Sequence, residues 1–286
     1  MIQRSTIQLL RFHFSFFLMP VYWFALSQVV RPDAERALLI FIILHILIYP
    51  SSNGFNSYMD RDEGSIGGLK SPLQPTRQLL YVSLVMDALA LILGFFISIY
   101  FVLAELLYIL ASRAYSARSV RLKKYPVIGF LIVVICQGAL VFFMVYHGSH
   151  SLLSLHVPTL GMISASLLIG GFYPLTQIYQ HEADARDNVR TISAQLGLRG
   201  TFIFCGIVYG IAFVALAYFF LSSLEIKEFL VFTTSMLPVL VYFIIWAAQV
   251  WQNPSMADFR HTMRMNTVAS LCSGIGFILV FLMQYL

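Results

Sequence analysis

Two stretches of the chain concentrate side chains that could grip a metal ion and a phosphate. The first reads Ser51-Ser52-Asn53-Gly54-Phe55-Asn56-Ser57-Tyr58-Met59-Asp60-Arg61-Asp62-Glu63-Gly64. The second reads Gln177-Ile178-Tyr179-Gln180-His181-Glu182-Ala183-Asp184-Ala185-Arg186-Asp187-Asn188-Val189-Arg190-Thr191. If each stretch continues as helix, Asn53, Asn56, Asp60 and Glu63 share one face at i, i+3, i+7 and i+10. Gln177, Gln180, Asp184 and Asp187 repeat that spacing, so an order of amide, amide, acid, acid occurs twice. Carboxylates and amide oxygens are hard ligands suited to Mg²⁺, which commonly bridges one or two carboxylates to substrate phosphates. Two facing clusters could therefore hold a diphosphate between them. Asp62 and Glu182 fall off the shared face and are expected to play an outer, solvated part.

Cations that could meet such a phosphate lie in a further segment, Tyr115-Ser116-Ala117-Arg118-Ser119-Val120-Arg121-Leu122-Lys123-Lys124. Arg121 and Lys123, with the Tyr115 hydroxyl, can donate charge-assisted hydrogen bonds to phosphate oxygens. Lys70 and Arg77 bracket Ser71-Pro72-Leu73-Gln74-Pro75 and are further candidates for that task. Gly64, Gly67 and Gly68 make the loop before them pliable, as a lid would be. Asp87 lies within an apolar run, where an acid either lines a pocket or serves a paired structural role. His147, His150 and His156 lack an accompanying acid or cysteine and read as solvated. Cys136, Cys205 and Cys272 sit in apolar runs as inert packing residues.

The elements that must position these residues follow from composition. Of 286 residues, 59% are hydrophobic and 11% charged, with mean hydropathy +0.81. A soluble domain carries roughly 25% charged residues, so this chain cannot coat a water-facing globule and is expected to be membrane-embedded. Apolar runs near 10–30, 36–57, 79–98, 100–117, 126–146, 157–180, 200–222, 229–251 and 265–285 predict nine transmembrane helices around a central cavity, in one all-α domain spanning 1–286. The run from Leu79 to Ala117 would extend about 58 Å as a single helix, so two spans with a turn near Tyr100 to Glu105 are expected. Alternating the loops between sides puts fifteen of the eighteen Lys and Arg residues on one side, and the remaining Arg31, Arg36 and Lys227 on the other. That asymmetry predicts a cytoplasmic N-terminus, with both acidic segments facing the cytoplasm. The net charge of +5 then reflects topology and not nucleic-acid binding.

At these residues the sequence resembles the UbiA-type superfamily of intramembrane prenyltransferases. That family has Asn-x-x-x-Asp-x-x-x-Asp after helix 2, a Tyr-Ser loop with basic residues after helix 4, and Asp-x-x-x-Asp after helix 6. Asn56 and Asp60 match the first motif, while Gly64 occupies its third position, so that Glu63 or Asp62 would have to substitute. Tyr115-Ser116 and Arg121-Leu122-Lys123 match the loop. Asp184 matches the second motif, with Gln180 in place of its first acid and Asn188 in place of a usual Gly. Ser71-Pro72 stands where Arg-Pro is frequent. The resemblance implies that Asn56, Asp60 and Asp184, helped by Glu63 and Asp187, hold Mg²⁺ against an isoprenyl diphosphate, with Asp60 and Asp184 essential to catalysis. Gln180 shares the ligand face. Arg121, Lys123 and Lys70 or Arg77 would neutralise the departing diphosphate while an aromatic or other lipophilic acceptor attacks the allylic cation.

Two other readings stay open at this point. A terpene cyclase would keep the diphosphate site and cyclise the cation without an acceptor. A secondary transporter would place its polar ligands near the bilayer midplane, where Asp87 is the candidate. The expected location is a bacterial cytoplasmic membrane, the lipid partner being the bilayer itself. Quinone precursors, tetrapyrrole-like rings and glycerol phosphate lipids are all open as acceptors.

Overall fold

The computed structural model describes residues 2–285. Among these residues the chain is all α, and its only extended pairing is an isolated bridge between Ile66 and Leu69. Among the described residues, nine helices are long and apolar enough to cross a membrane. They are α1 (Arg4–Leu26), α2 (Ala34–Asp60), α3 (Arg77–Gly94), α4 (Ile99–Ser116), α5 (Pro126–Ser149), α6 (Thr159–Arg186), α7 (Ile192–Ser222), α8 (Ile226–Gln252) and α9 (Phe259–Met283). Their outward faces are apolar: Val85, Leu89 and Ile92 on α3 and Ile203, Ile207 and Val214 on α7 are exposed. Hydrocarbon solvates such faces as well as another helix would. The chain is therefore an integral, multi-pass membrane protein.

The turn between α3 and α4 falls at 95–98, earlier than the expected Tyr100 to Glu105. Ser98 sets it: its side chain accepts the Phe101 N–H at 3.0 Å and caps α4. Tyr100 and Glu105 are consequently helical. His147 also departs from expectation, being buried with Nε2 2.7 Å from Ser98 Oγ and Nδ1 3.0 Å from the Ser154 carbonyl. It ties the α5 end to that turn.

Both acid-bearing helices change their winding at a Tyr-Pro pair. In α2 a π-helical stretch, Ile43–Ile48, precedes Tyr49-Pro50, and in α6 a 3-10 stretch, Tyr173–Gln180, begins at Tyr173-Pro174. Proline lacks an N–H and crowds the carbonyl four residues back, so regular α-helix cannot run through it unchanged. In α2 the change of winding lies just ahead of the repeated polar face, and in α6 it runs through the first half of that face, as far as Gln180. α1 breaks near the same end of the bundle, where Arg11 takes a left-handed conformation (φ 49°).

A buried tie holds α2, α3 and α4 together. Arg113 of α4 pairs with Asp87 of α3, donates to Ser51 Oγ of α2 at 2.7 Å, and lies 4.2 Å from the Phe55 ring centroid. Asp87 thus has the paired structural role. At the opposite end, Phe277 stacks on Phe24 at 4.5 Å and on Phe232 at 4.3 Å, with Phe142 edge-on to Phe24. These rings close the bundle and leave the motif end open.

Candidate functional site

A central cavity of about 280 Å³ opens at the motif end. Its mouth is polar, with Asn53, Asn56, Asp60 and Asp62 from the α2 end and Gln177, Gln180, Asp184 and Asp187 from the α6 end. Tyr115, Ser116 and Lys123 complete the rim on the α4 side. Its depth is apolar, lined by Tyr108, Ile132, Val133, Ile169 and Phe172. A charged head and an apolar tail would each find their own half.

Asp60 is the electrostatic centre. Lys123 Nζ lies 2.5 Å from its Oδ2, and Arg121 Nη2 lies 3.6 Å from its Oδ1 while also pairing with Asp187. Asn56 Nδ2 donates to Asp60 Oδ2 at 2.9 Å and to Ser116 Oγ at 3.1 Å, which fixes the amide with its oxygen turned away. Arg121 reaches this position because its left-handed backbone (φ 50°) starts the turn Leu122–Lys124. The Asp184 carboxylate lines the cavity and, among the described residues, forms no ion pair or side-chain hydrogen bond. Asp60 Oδ1 and Gln177 Oε1 are buried without a hydrogen-bond partner, as is Arg11 Nε. Groups left so are costly unless a ligand completes them.

The loop 61–76 forms a roof. Arg11 Nη1 donates to the Gly67 carbonyl at 3.2 Å and Nη2 to the Asn53 carbonyl at 3.3 Å. Gln180 Nε2 donates to the Ser65 carbonyl at 3.2 Å, tying the roof to α6. Gly68 has φ +82°, and a Cβ on Gly67 would lie 2.7 Å from the Phe14 ring, so the close seating on α1 needs glycine at both positions. Burial and, after it, the Asp60 charge raise the Asp62 carboxyl above the ordinary aspartate value, against the lowering pull of Lys123, Arg11 and Arg121.

Not every expected residue converges here. α2 ends at Asp60, and Arg61 turns left-handed (φ 54°, ψ 43°), so the helical register does not carry on to Glu63. Glu63 is exposed outside the cavity, and Asp62, expected to lie off the face, lines it instead. Lys70 is carried to a separate outer groove, and Arg77 is exposed at the start of α3. Arg11 and Tyr173 were missed. Tyr173 OH lies 2.6 Å from Tyr115 OH and accepts from Gln177 Nε2 at 2.8 Å, so Tyr115 faces a hydroxyl partner. A signal existed for Tyr173: the internal repeat extends backward to Tyr49-Pro50 and Tyr173-Pro174 at the same offset.

Among the described residues no three Asp, Glu, His or Cys side chains converge closely enough to cage an ion alone. The oxygen donors nevertheless suit Mg²⁺, which takes one or two carboxylates and completes its shell with water and substrate phosphate. Asp60 Oδ1, which accepts no hydrogen bond, and the Asp184 carboxylate, which lines the cavity, fit that requirement.

A family model described as "UbiA prenyltransferase family" matches residues 15–283. No curated protein sequence matches the chain. Among solved structures, a UbiA homologue from Archaeoglobus fulgidus bound to GPP and Mg²⁺ superposes with a TM-score of 0.67 at 22% identity, over 96% of this chain and 99% of that one. An apo UbiA homologue from Aeropyrum pernix K1 gives 0.68 at 18% identity, over 93% and 97%. A digeranylgeranylglyceryl phosphate synthase structure gives 0.59 at 17% identity, over 98% and 97%.

Proposed function

The chain belongs to the UbiA prenyltransferase family, and from that premise we propose that it transfers an isoprenyl group from an isoprenyl diphosphate to a lipophilic acceptor, with Mg²⁺, inside the membrane. One observation carries the reading: a polar mouth built twice over from α2 and α6 stands above an apolar chamber. Asn56, Asp60, Asp62, Gln180, Asp184 and Asp187 are the oxygen donors available to the metal. Bound Mg²⁺ would supply charge neutralisation for the diphosphate. The likeness to structures bound to GPP or DMAPP with Mg²⁺ supports that donor and ion.

The chain's own residues supply the rest. Lys123 and Arg121, now neutralised by Asp60 and Asp187, would exchange part of that pairing for diphosphate oxygens as negative charge grows there. The C–O bond to the diphosphate breaks, a bond to the acceptor forms, and the acceptor gives up a proton. The hydrogen-bonded Tyr115 and Tyr173 would orient the diphosphate or acceptor, and the loop 61–76, partly covering the mouth, would shield the cation from water. Tyr108, Ile132, Val133 and Phe172 would hold the isoprenyl tail. We take the chain to act as one domain with its site on the cytoplasmic side, the side its cations favour.

The test is expression in a bacterial host, comparing lipid extracts by mass spectrometry between wild type and Asp60→Ala. A prenylated lipid present only with wild type supports the reading and reveals the acceptor. A cyclic hydrocarbon in its place indicates a cyclase, and identical extracts overturn both.

A further inference from the structure

Outside the reaction cavity, a shallow groove of about 810 Å³ runs along the motif end of α9. One face of α9 forms its floor, with Phe259, Arg260, Met263, Arg264, Thr267 and Val268 recurring at spacings of three and four. Tyr242 of α8 and Lys70 of the roof loop form its sides. Lys70, Arg260 and Arg264 are exposed, and among the described residues none of the three forms an ion pair. The acid on this groove, Asp258, is committed elsewhere: its Oδ1 caps α9 by accepting the His261 N–H at 2.8 Å and also contacts the His261 ring Nδ1 at 2.8 Å. By contrast, Arg113, Arg121 and Lys123 spend their charge on carboxylates inside the bundle.

The groove's chemistry changes along its length. Arg260 and Arg264 lie on the first two turns of α9 with Met263 between them, and Thr267 and Val268 follow a turn deeper into the span. A ligand matching both parts needs an anionic head and an apolar tail. We propose that the groove binds a membrane phospholipid of net negative charge, its phosphate held by Lys70, Arg260 and Arg264 and one acyl chain laid along the Met263 to Val268 face. Arg supplies paired donors to phosphate oxygens, and a cluster of three cations at a membrane surface selects anionic over zwitterionic lipid. Free phosphate would satisfy the cations and leave the apolar half uncovered, so the lipid is the better match. Met263 lines this groove and the reaction cavity alike, which places the bound lipid one side chain from the site. The inference goes beyond the transferase reading and stands whether or not that reading survives.

The test uses the purified full chain in nanodiscs of equal parts phosphatidylglycerol and phosphatidylcholine, with retained lipids identified by native mass spectrometry. Wild type is expected to retain phosphatidylglycerol over phosphatidylcholine. Enrichment should fall roughly fivefold for each cation removed in the series Lys70→Gln, Arg260→Gln and Arg264→Gln, while Arg260→Lys with Arg264→Lys keeps most of it. Equal retention of the two lipids by wild type overturns the proposal without reference to any variant. So does enrichment that survives loss of all three cations, or phosphatidylglycerol displaced by millimolar inorganic phosphate alone.

Discussion

Asp60 holds two cations at once, yet its Oδ1, 3.6 Å from Arg121, accepts no hydrogen bond, a state that a metal-bound diphosphate would complete. If Lys123 stabilises charge on the leaving diphosphate, Lys123→Ala lowers kcat by roughly 10²–10³-fold, the loss expected for one positioned donor. Steady-state kinetics with an isoprenyl diphosphate checks this, and a change confined to KM contradicts it. Asp62 gives a pH signature. Its raised carboxyl pKa means that the folded chain binds that proton more tightly than the unfolded chain, so the group's contribution to stability declines as pH rises through the window. Asp62→Asn should therefore raise the thermal midpoint of the ligand-free protein at neutral pH, with the gain shrinking toward about pH 4. A gain that stays constant with pH would rule out the assignment. At this scale Asn56, Asp60, Gln180, Asp184, Asp187, Arg121 and Lys123 were legible from type and spacing. Glu63 was misplaced because a left-handed Arg61 has no sequence signature, and Arg11 was masked by its resemblance to an ordinary topological cation.

The helices place these residues through local irregularities, and a few buried ties hold them there. Arg113 and Asp87 join α4 to α3 and, through Ser51, to the acid-bearing α2. Removing one member leaves a buried charge unpaired, so Arg113→Met should destabilise the protein by about 3–5 kcal/mol. Replacing both, as Arg113→Met with Asp87→Leu, should recover most of that loss in a thermal unfolding series. A double variant as unstable as the single one contradicts the tie. Span number and order were readable because about 20 apolar residues are needed per crossing, which leaves little freedom. The winding changes at Pro50 and Pro174 were not read, since hydrophobic periodicity barely separates α, π and 3-10 turns. The α3–α4 turn was displaced by a few residues because its signal is a serine cap and not a Gly or Pro pair.

Across the whole molecule, scarcity of charge makes the site visible: with 11% charged residues, clusters at one end of a bundle stand out. On the proposed orientation, with that end in the cytoplasm, a cysteine introduced at Glu63 should react with a membrane-impermeant maleimide in inverted vesicles and be protected in intact cells. The reverse pattern would overturn the orientation. The glycines marked the loop as a lid; its fastening was not legible, because Arg11, Gly67, Gly68 and Gln180 meet only after α1, α2 and α6 have assembled. The central claim is that the two acid-bearing helices act together on a diphosphate. Its most direct measurement is diphosphate release from geranyl diphosphate by the purified protein in native lipid extract, with Mg²⁺ or with chelator, for wild type, Asp60→Asn and Asp184→Asn. Release is expected to require Mg²⁺ and to fall at least about 100-fold in each variant. Release at the wild-type rate in either folded variant, or release indifferent to chelator, would contradict it.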